Sequence, residues 1–233
     1  MPLDLVELGA LGFFKHVRAA DRAGVFAWAE AHGTPFARET RRVFHADAEC
    51  LAEEGFLGVL GFAAPFLAKE GVPLEVTYRS AWLAAADAPA YAAPAEPDSD
   101  GWLPFDPYVK PWGHTPVARL ALRPRPGAPL EEVTESYDAE DRYVFTVGES
   151  TVAVLDAIKD GDHWVSATRA LLGVLNGVLA AHGSSERAFG LYGGHDLAVA
   201  FATPSMASLI NGASAPGDRL HDGAPYARAR SRF

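Results

Sequence analysis

The hydrophobic pattern of this chain changes period near residue 74, and this change limits the folds that it can adopt. Between Phe56 and Lys69 the apolar residues recur at helical spacing. Between Leu74 and Tyr78 apolar and polar residues alternate, which is typical of a half-buried strand. Four strand-like segments then follow with no helix of their own before residue 163: 117–122, 132–137, 142–147 and 151–155. The middle of the chain is therefore predicted to be sheet.

Short connections between these strands favour antiparallel pairing, because parallel strands need long crossovers. Gly148-Glu149 has the composition of a two-residue hairpin turn. Two or three short helices are predicted within 3–31, and a short strand at 42–45. After the central strands the pattern predicts a long helix at 163–182, strands at 188–192 and 197–203, and a helix at 204–210. The predicted class is α+β, with a mixed, mainly antiparallel sheet and helices packed on it.

Residues 1–210 are predicted to form a single domain that contains a long irregular loop at 84–115. A boundary inside this loop is disfavoured, because the strands that follow need the N-terminal helices to cover their open face. Residues 211–233 consist mainly of Gly, Ala, Pro and Arg. We expect them to form a mobile or surface-wrapped tail.

The net charge of −10 argues against nucleic-acid binding, which requires clustered Lys and Arg. The tail carries four arginines and two aspartates, so that residues 1–210 carry −12. This balance favours a basic protein as partner. No apolar run reaches the length of a membrane span, and the acidic N-terminus is unlike a secretory signal. The expected location is the cytoplasm, and the excess of Arg over Lys is typical of a GC-rich bacterial genome.

No strong catalytic or cofactor motif is present, and neither a cofactor nor a metal is predicted. The single cysteine, Cys50, cannot form an internal disulfide, and burial as a small apolar group is favoured over a reactive thiol. Six scattered histidines (His16, His32, His45, His163, His182 and His221) show no metal-ligand spacing and are interpreted as structural or surface residues. A metal site built from His114, His195 and an aspartate is a minor alternative.

The first candidate site is the turn Tyr192-Gly193-Gly194-His195-Asp196. His195 beside Asp196 could act as a general base or a metal ligand, and the glycines would let a ligand approach the backbone. A simple hairpin loop is the favoured interpretation, because Gly-Gly supplies positive φ and Asp accepts local hydrogen bonds.

The second candidate is an aromatic stretch inside the long loop. Its rings are Trp102, Phe105, Tyr108 and Trp112, with Asp106 and His114 among them. Such rings can anchor a loop to the core, which is the favoured interpretation. They can also bind a partner protein or stack a ligand.

Two further features bear on packing and charge. Gly173 and Gly177 lie one turn apart on the long helix and would let it approach a neighbour closely. The acids between 131 and 141 are most simply a solvated face, although they could form a patch for a basic partner.

Three hypotheses follow. The preferred one is a protein-binding module, of the inhibitor or immunity type, with Trp102, Phe105, Tyr108 and Trp112 as contact residues. The alternative is a small hydrolase-like enzyme with His195 or His114 as base and Asp196 or Asp106 as its orienting acid. A small-molecule sensor that uses the sheet face as a pocket is the third.

Overall fold

The structure is a computed structural model and describes residues 3–45, 55–78, 117–140, 142–155, 163–191, 198–214 and 219–222. Five α-helices lie within these ranges: α1 Leu5–Ala10, α2 Arg22–His32, α3 Gly55–Lys69, α4 His163–Ala181 and α5 Pro204–Ala213. Two short 3₁₀ turns, Ala19–Asp21 and Arg38–Thr40, accompany them.

The helix ends follow local signals in the sequence. Asp4 caps α1 by accepting hydrogen bonds from the backbone N–H groups of Val6 and Glu7, at 3.0 and 2.9 Å. Thr203 caps α5 in the same way, and Pro204 occupies its first turn. Gly183 follows α4 with φ of 73°, the left-handed conformation that a helix end favours for glycine.

Eight strands in the described ranges form two antiparallel sheets. The strands are β1 Val43–His45, β2 Leu74–Tyr78, β3 Val117–Leu122, β4 Glu131–Tyr137, β5 Tyr143–Val147, β6 Ser150–Leu155, β7 Arg187–Leu191 and β8 Ala198–Ala202. The three-stranded sheet has the order β1-β8-β7, and the five-stranded sheet is a meander in the order β2-β3-β4-β5-β6. Gly148 and Glu149 form the two-residue turn between β5 and β6, with Val147 paired to Ser150.

The central strand β8 is buried on both faces and separates two hydrophobic cores. Val199 and Phe201 point into the first core, while Ala198, Ala200 and Ala202 point into the second. This alternation is the two-residue period of a strand. Small alanines on the second face let the helical segments of the N-terminus and α5 pack directly on the sheet.

The first core joins the two sheets. It lies between the five-stranded sheet, the helices α3 and α4, and one face of the three-stranded sheet. Leu60 and Leu67 of α3 share it with Leu120 of β3 and Phe145 of β5, so chain segments on both sides of the predicted 84–115 loop contribute to one core. Helix α3 therefore packs against the central strands.

The described residues of the predicted tail lie against the three-stranded sheet. Gly190 of β7 and His221 exchange two backbone hydrogen bonds of 2.7 and 2.9 Å, and Leu220 is buried in the second core. A Cβ added to Gly190 would meet the His221 ring at 2.3 Å, so the close approach requires glycine. Residues 219–222 are thus wrapped onto the surface of the sheet.

The predicted α+β class, with antiparallel sheets and packed helices, is confirmed. The structure differs in two respects. The strands divide between two sheets, because β8 pairs with β1 on one side and with β7 on the other, and not with the meander. Helix α5 also continues to Ala213, three residues past its predicted end at residue 210.

Candidate functional site

The two predicted candidate sites lie outside the described residues. This holds for His114, His195, Asp106 and Asp196, and for the four aromatic residues Trp102, Phe105, Tyr108 and Trp112. It holds also for Cys50. The enzyme hypothesis and the aromatic contact surface therefore stay predictions, and the structure contributes two other places where chemistry or binding can occur.

The first place is an open groove between α4 and one end of the five-stranded sheet. Its volume is about 400 Å³, within the range of small-ligand pockets. The floor is apolar and contains Leu122, Val147 and Val174, which are buried. The remaining lining residues are Pro124, Arg125, Glu131, Ser150, Val152, Gly173, Gly177 and Val178.

Two glycines leave the helical wall of this groove without side chains. Gly173 and Gly177 are exposed, and a Cβ built on either would have nothing within 4 Å. The prediction that they let α4 approach a neighbour closely is therefore wrong. Their spacing of one turn places them on the same face of the helix, and here that face borders open space.

The sheet wall of the groove includes an irregularity in β6. The register between β5 and β6 shifts next to Phe145, where Thr146 pairs with Thr151 and Phe145 pairs with Ala153. The extra residue, Val152, lines the groove and is 43% exposed. A bulge commonly redirects a side chain in this way and also protects an edge strand from further pairing.

Polar groups are few and lie around the apolar floor. Arg125 is exposed, and within the described ranges no carboxylate lies within ion-pair distance of it. Glu131 and Ser150 lie on the strand side. An apolar surface with one cation, one carboxylate and one hydroxyl is suited to binding. The apolar surface contacts the ligand, and the few polar groups fix the orientation of that ligand.

The second place is the ionic cluster, which consists of Lys15, Arg42, Glu70, Ser184 and Glu186. Arg42 is 3% exposed and Glu186 is 1% exposed, and their side chains form an ion pair of 2.9 Å. The Arg42 guanidinium also donates to the backbone oxygens of Phe13 and Phe201, at 2.5 and 3.0 Å. A buried arginine with this many acceptors is fixed in place.

Lys15 extends the ionic cluster toward the end of α3. Its ammonium lies 2.8 Å from Glu70 and 3.0 Å from Glu186. Glu70 accepts a further hydrogen bond of 2.9 Å from the Ser184 hydroxyl, and the Ser184 oxygen accepts from the backbone N–H of Glu186 at 3.0 Å. The N-terminal segment, α3 and the start of β7 are thus connected by charged and polar groups.

The protonation of the ionic cluster follows from these contacts. Burial opposes the charged forms, but the contacts with Lys15 and Ser184 hold the pKa of Glu70 below its usual value. Burial lowers the pKa of Lys15, but the contacts with Glu70 and Glu186 outweigh it, so that the pKa of Lys15 lies above its usual value. The neighbouring His16 lies 3.6 Å from Glu70, beyond hydrogen-bond distance. Burial and the charges of Lys15, Lys69 and Arg42 lower the pKa of His16.

Four described acids of the β4–β5 hairpin already have partners within the chain. Glu132 pairs with Arg119 at 3.4 Å, and Asp138 and Glu140 both pair with Arg142. Glu135 accepts from the Leu57 backbone N–H at 3.2 Å and from the Tyr143 hydroxyl. Since these carboxylates are already paired within the chain, the solvated-face interpretation fits them better than a partner-binding patch.

The comparisons with known proteins give no match: no family model fits the chain, and no curated protein or solved structure is significantly similar to it. In the part of the chain that the structure describes, no three His, Cys, Asp or Glu side chains are grouped so that they could hold a metal ion. No helix there has the length and apolar character needed to cross a membrane.

The groove and the ionic cluster could not be found from the sequence. The groove combines residues from three separate segments between 122 and 178, and the ionic cluster combines residues between 15 and 186, while each local pattern is that of an ordinary strand or helix. The pair Gly173 and Gly177 was the only local signal for the groove. Whether such a pair faces a neighbour or solvent depends on tertiary packing, which spacing alone does not specify.

Proposed function

We propose that the protein is a binding module for another protein, and that the groove between α4 and the five-stranded sheet receives an apolar side chain or short segment of that partner. The observation that carries this proposal is the open space above Gly173 and Gly177 beside a buried apolar floor. Such a surface offers free energy to a ligand, since apolar area that is removed from water contributes roughly 25 cal/mol per Å².

The charge of the chain supports a basic protein as the partner. With a net charge of −10, the protein attracts a positively charged partner over distances of about 10 Å at moderate ionic strength. An inhibitor or immunity-type module that neutralises a basic bacterial effector in the cytoplasm would combine both features. The apolar groove would supply affinity, and the acidic surface would supply fast, salt-dependent association.

The ionic cluster does not suit this role. Its most buried groups, Arg42 and Glu186, are paired with each other and are almost inaccessible to solvent. A group that is already paired and buried gains little from a partner. For this reason the groove, and not the ionic cluster, is the proposed contact surface.

The test uses two matched variants. Gly177→Phe fills the groove, whereas Gly24→Phe places the same side chain on α2, where a Cβ also has open space. The two glycines lie in helices with nothing within 4 Å, so both variants are expected to fold, as circular dichroism and thermal unfolding will show. Partners are then recovered at low salt from the native host, and each candidate's affinity is measured by calorimetry with the purified proteins.

The proposal requires that a basic partner bind wild type and Gly24→Phe with equal affinity and bind Gly177→Phe at least tenfold more weakly. Affinity of that partner should also fall as salt is raised. Equal affinity of the partner for all three proteins would show that the partner does not contact the groove. If no partner binds the wild-type protein, and no neighbouring gene encodes an effector, the binding-module proposal itself fails.

A further inference from the structure

Lys69, at the end of α3, is held without a carboxylate partner. Its Nζ donates a hydrogen bond of 3.1 Å to the backbone oxygen of Arg41 and lies 5.3 Å from the centre of the Phe66 ring. None of the carboxylates that the structure describes lies within ion-pair distance of it. Lys15 is the contrasting lysine, because it contacts two carboxylates.

The adjacent acid, Glu70, is occupied elsewhere. One of its oxygens accepts a hydrogen bond of 2.8 Å from the Lys15 ammonium, and the other accepts one of 2.9 Å from the Ser184 hydroxyl. The side chains of Lys69 and Glu70 therefore do not neutralise each other, although the two residues are adjacent in the chain.

The remaining charged neighbours of Lys69 are mostly cations. Burial, together with the charges of Arg41 and Arg42, lowers the pKa of Lys69 to about 8, while Glu70 opposes this shift weakly. His16 is near enough that the charge of Lys69 lowers the pKa of the imidazole. At pH 7.5 about a quarter of the Lys69 amines are then neutral, against about one in a thousand for an ordinary lysine.

Arg41 gives the surroundings of this amine an exposed positive charge. Its side chain is exposed, and no described carboxylate pairs with it. Its backbone has φ of 50°. Every other non-glycine residue in the described ranges has a negative φ. This conformation, which costs a non-glycine residue about 1 kcal/mol or more, is held in part by the hydrogen bond from Lys69.

We infer that Lys69 is a site of acyl transfer, and that an acyl phosphate is its donor. The neutral amine attacks the carbonyl carbon, a C–N bond forms, and the bond from that carbon to the bridging phosphate oxygen breaks. Phosphate leaves with the electron pair, and the proton lost by the amine nitrogen passes through water to the leaving oxygen, so that hydrogen phosphate is released. Arg41 attracts the dianionic phosphate to the half-buried amine.

The first experiment compares the two described lysines of the full-length protein. Acetyl phosphate is added at pH 7.0 to 9.5, and acetylation at each lysine is followed by mass spectrometry. The expected rate at Lys69 is at least tenfold that at Lys15 at pH 7.5 and levels off above about pH 9, whereas the rate at Lys15 continues to rise. Equal rates, or no plateau at Lys69, would overturn the inference.

The second experiment isolates the role of Arg41. Arg41→Gln is compared with Arg22→Gln, an exposed arginine on α2, with acetyl phosphate and with an uncharged acetyl ester as donors. For each protein, the rate at Lys69 with acetyl phosphate is divided by the rate with the uncharged ester. This ratio is independent of any general change in the reactivity of the amine. We expect this ratio to fall at least threefold in Arg41→Gln and to stay constant in Arg22→Gln. An unchanged ratio in Arg41→Gln rejects the acyl phosphate as the preferred donor.

Discussion

The ionic cluster and the groove use polar groups in opposite ways. In the ionic cluster the arginine is buried and donates four hydrogen bonds within the chain, which join the N-terminal segment to the three-stranded sheet. In the groove the arginine is exposed and borders an apolar floor. Buried and paired charge specifies how segments fit together, whereas open apolar surface with an unpaired charge leaves free energy for a partner.

The largest expected difference between the two regions is in the cost of removing their arginines. Arg42→Met leaves the buried Glu186 with Lys15 but without its buried partner, and should lower the free energy of unfolding by about 3–5 kcal/mol. Arg125→Met removes an exposed group and should change it by less than about 0.5 kcal/mol. Urea unfolding of the two variants measures both effects. Equal losses would show that the groove is as much a structural element as the ionic cluster.

The next effect is the dependence of stability on pH. The pKa of Glu70 is lower in the folded protein than the ordinary value of 4.5, so its contribution is complete above that value and is lost as pH falls through the folded pKa. Glu70→Gln should cost about 1–2 kcal/mol at pH 7 and lack this acid-dependent loss. Urea unfolding between pH 3 and 7 tests this, with Glu131→Gln of the groove as the control. If the stability of Glu70→Gln falls with decreasing pH as steeply as that of wild type, Glu70 is not the source of the acid-dependent loss.

The smallest effect is a gain in stability at the groove. Gly173→Ala and Gly177→Ala should each raise the free energy of unfolding by about 0.5–1 kcal/mol, because alanine favours the helix and its methyl group meets open space. Thermal unfolding measures this gain. Gly190→Ala, whose methyl group would meet His221, is the matched glycine that should lose stability. Loss at all three positions would mean that the groove is closed in solution.

Much of the fold could be predicted from the sequence. The hydrophobic period distinguished the helix α3 from the strand β2, and the hairpin of β5 and β6 was placed from Gly148 and Glu149 alone. The end of α4 followed from Gly183. These features depend on contacts between residues that are close in the chain, so local spacing and turn residues contain the information.

The candidate sites could not be predicted in the same way. Nothing in the sequence near Arg42 distinguishes a buried arginine from a surface one, and Glu186 lies 144 positions away. The orientation of Gly173 and Gly177 toward open space depended likewise on how α4 packs against β6 and β7. The sites that were predicted, at 102–114 and 192–196, lie beyond the described ranges and stay predictions.

The sequence by itself determined the local elements, their order and the acidic character of the chain, because hydrophobic period, caps and charge are properties of neighbouring residues or of the whole composition. The tertiary structure alone decided that the strands divide into two sheets and that β8 separates two cores. It decided also which charges are buried and where open surface remains. Burial and pairing arise from contacts between distant segments, and the free energy of a charged or apolar group depends on those contacts.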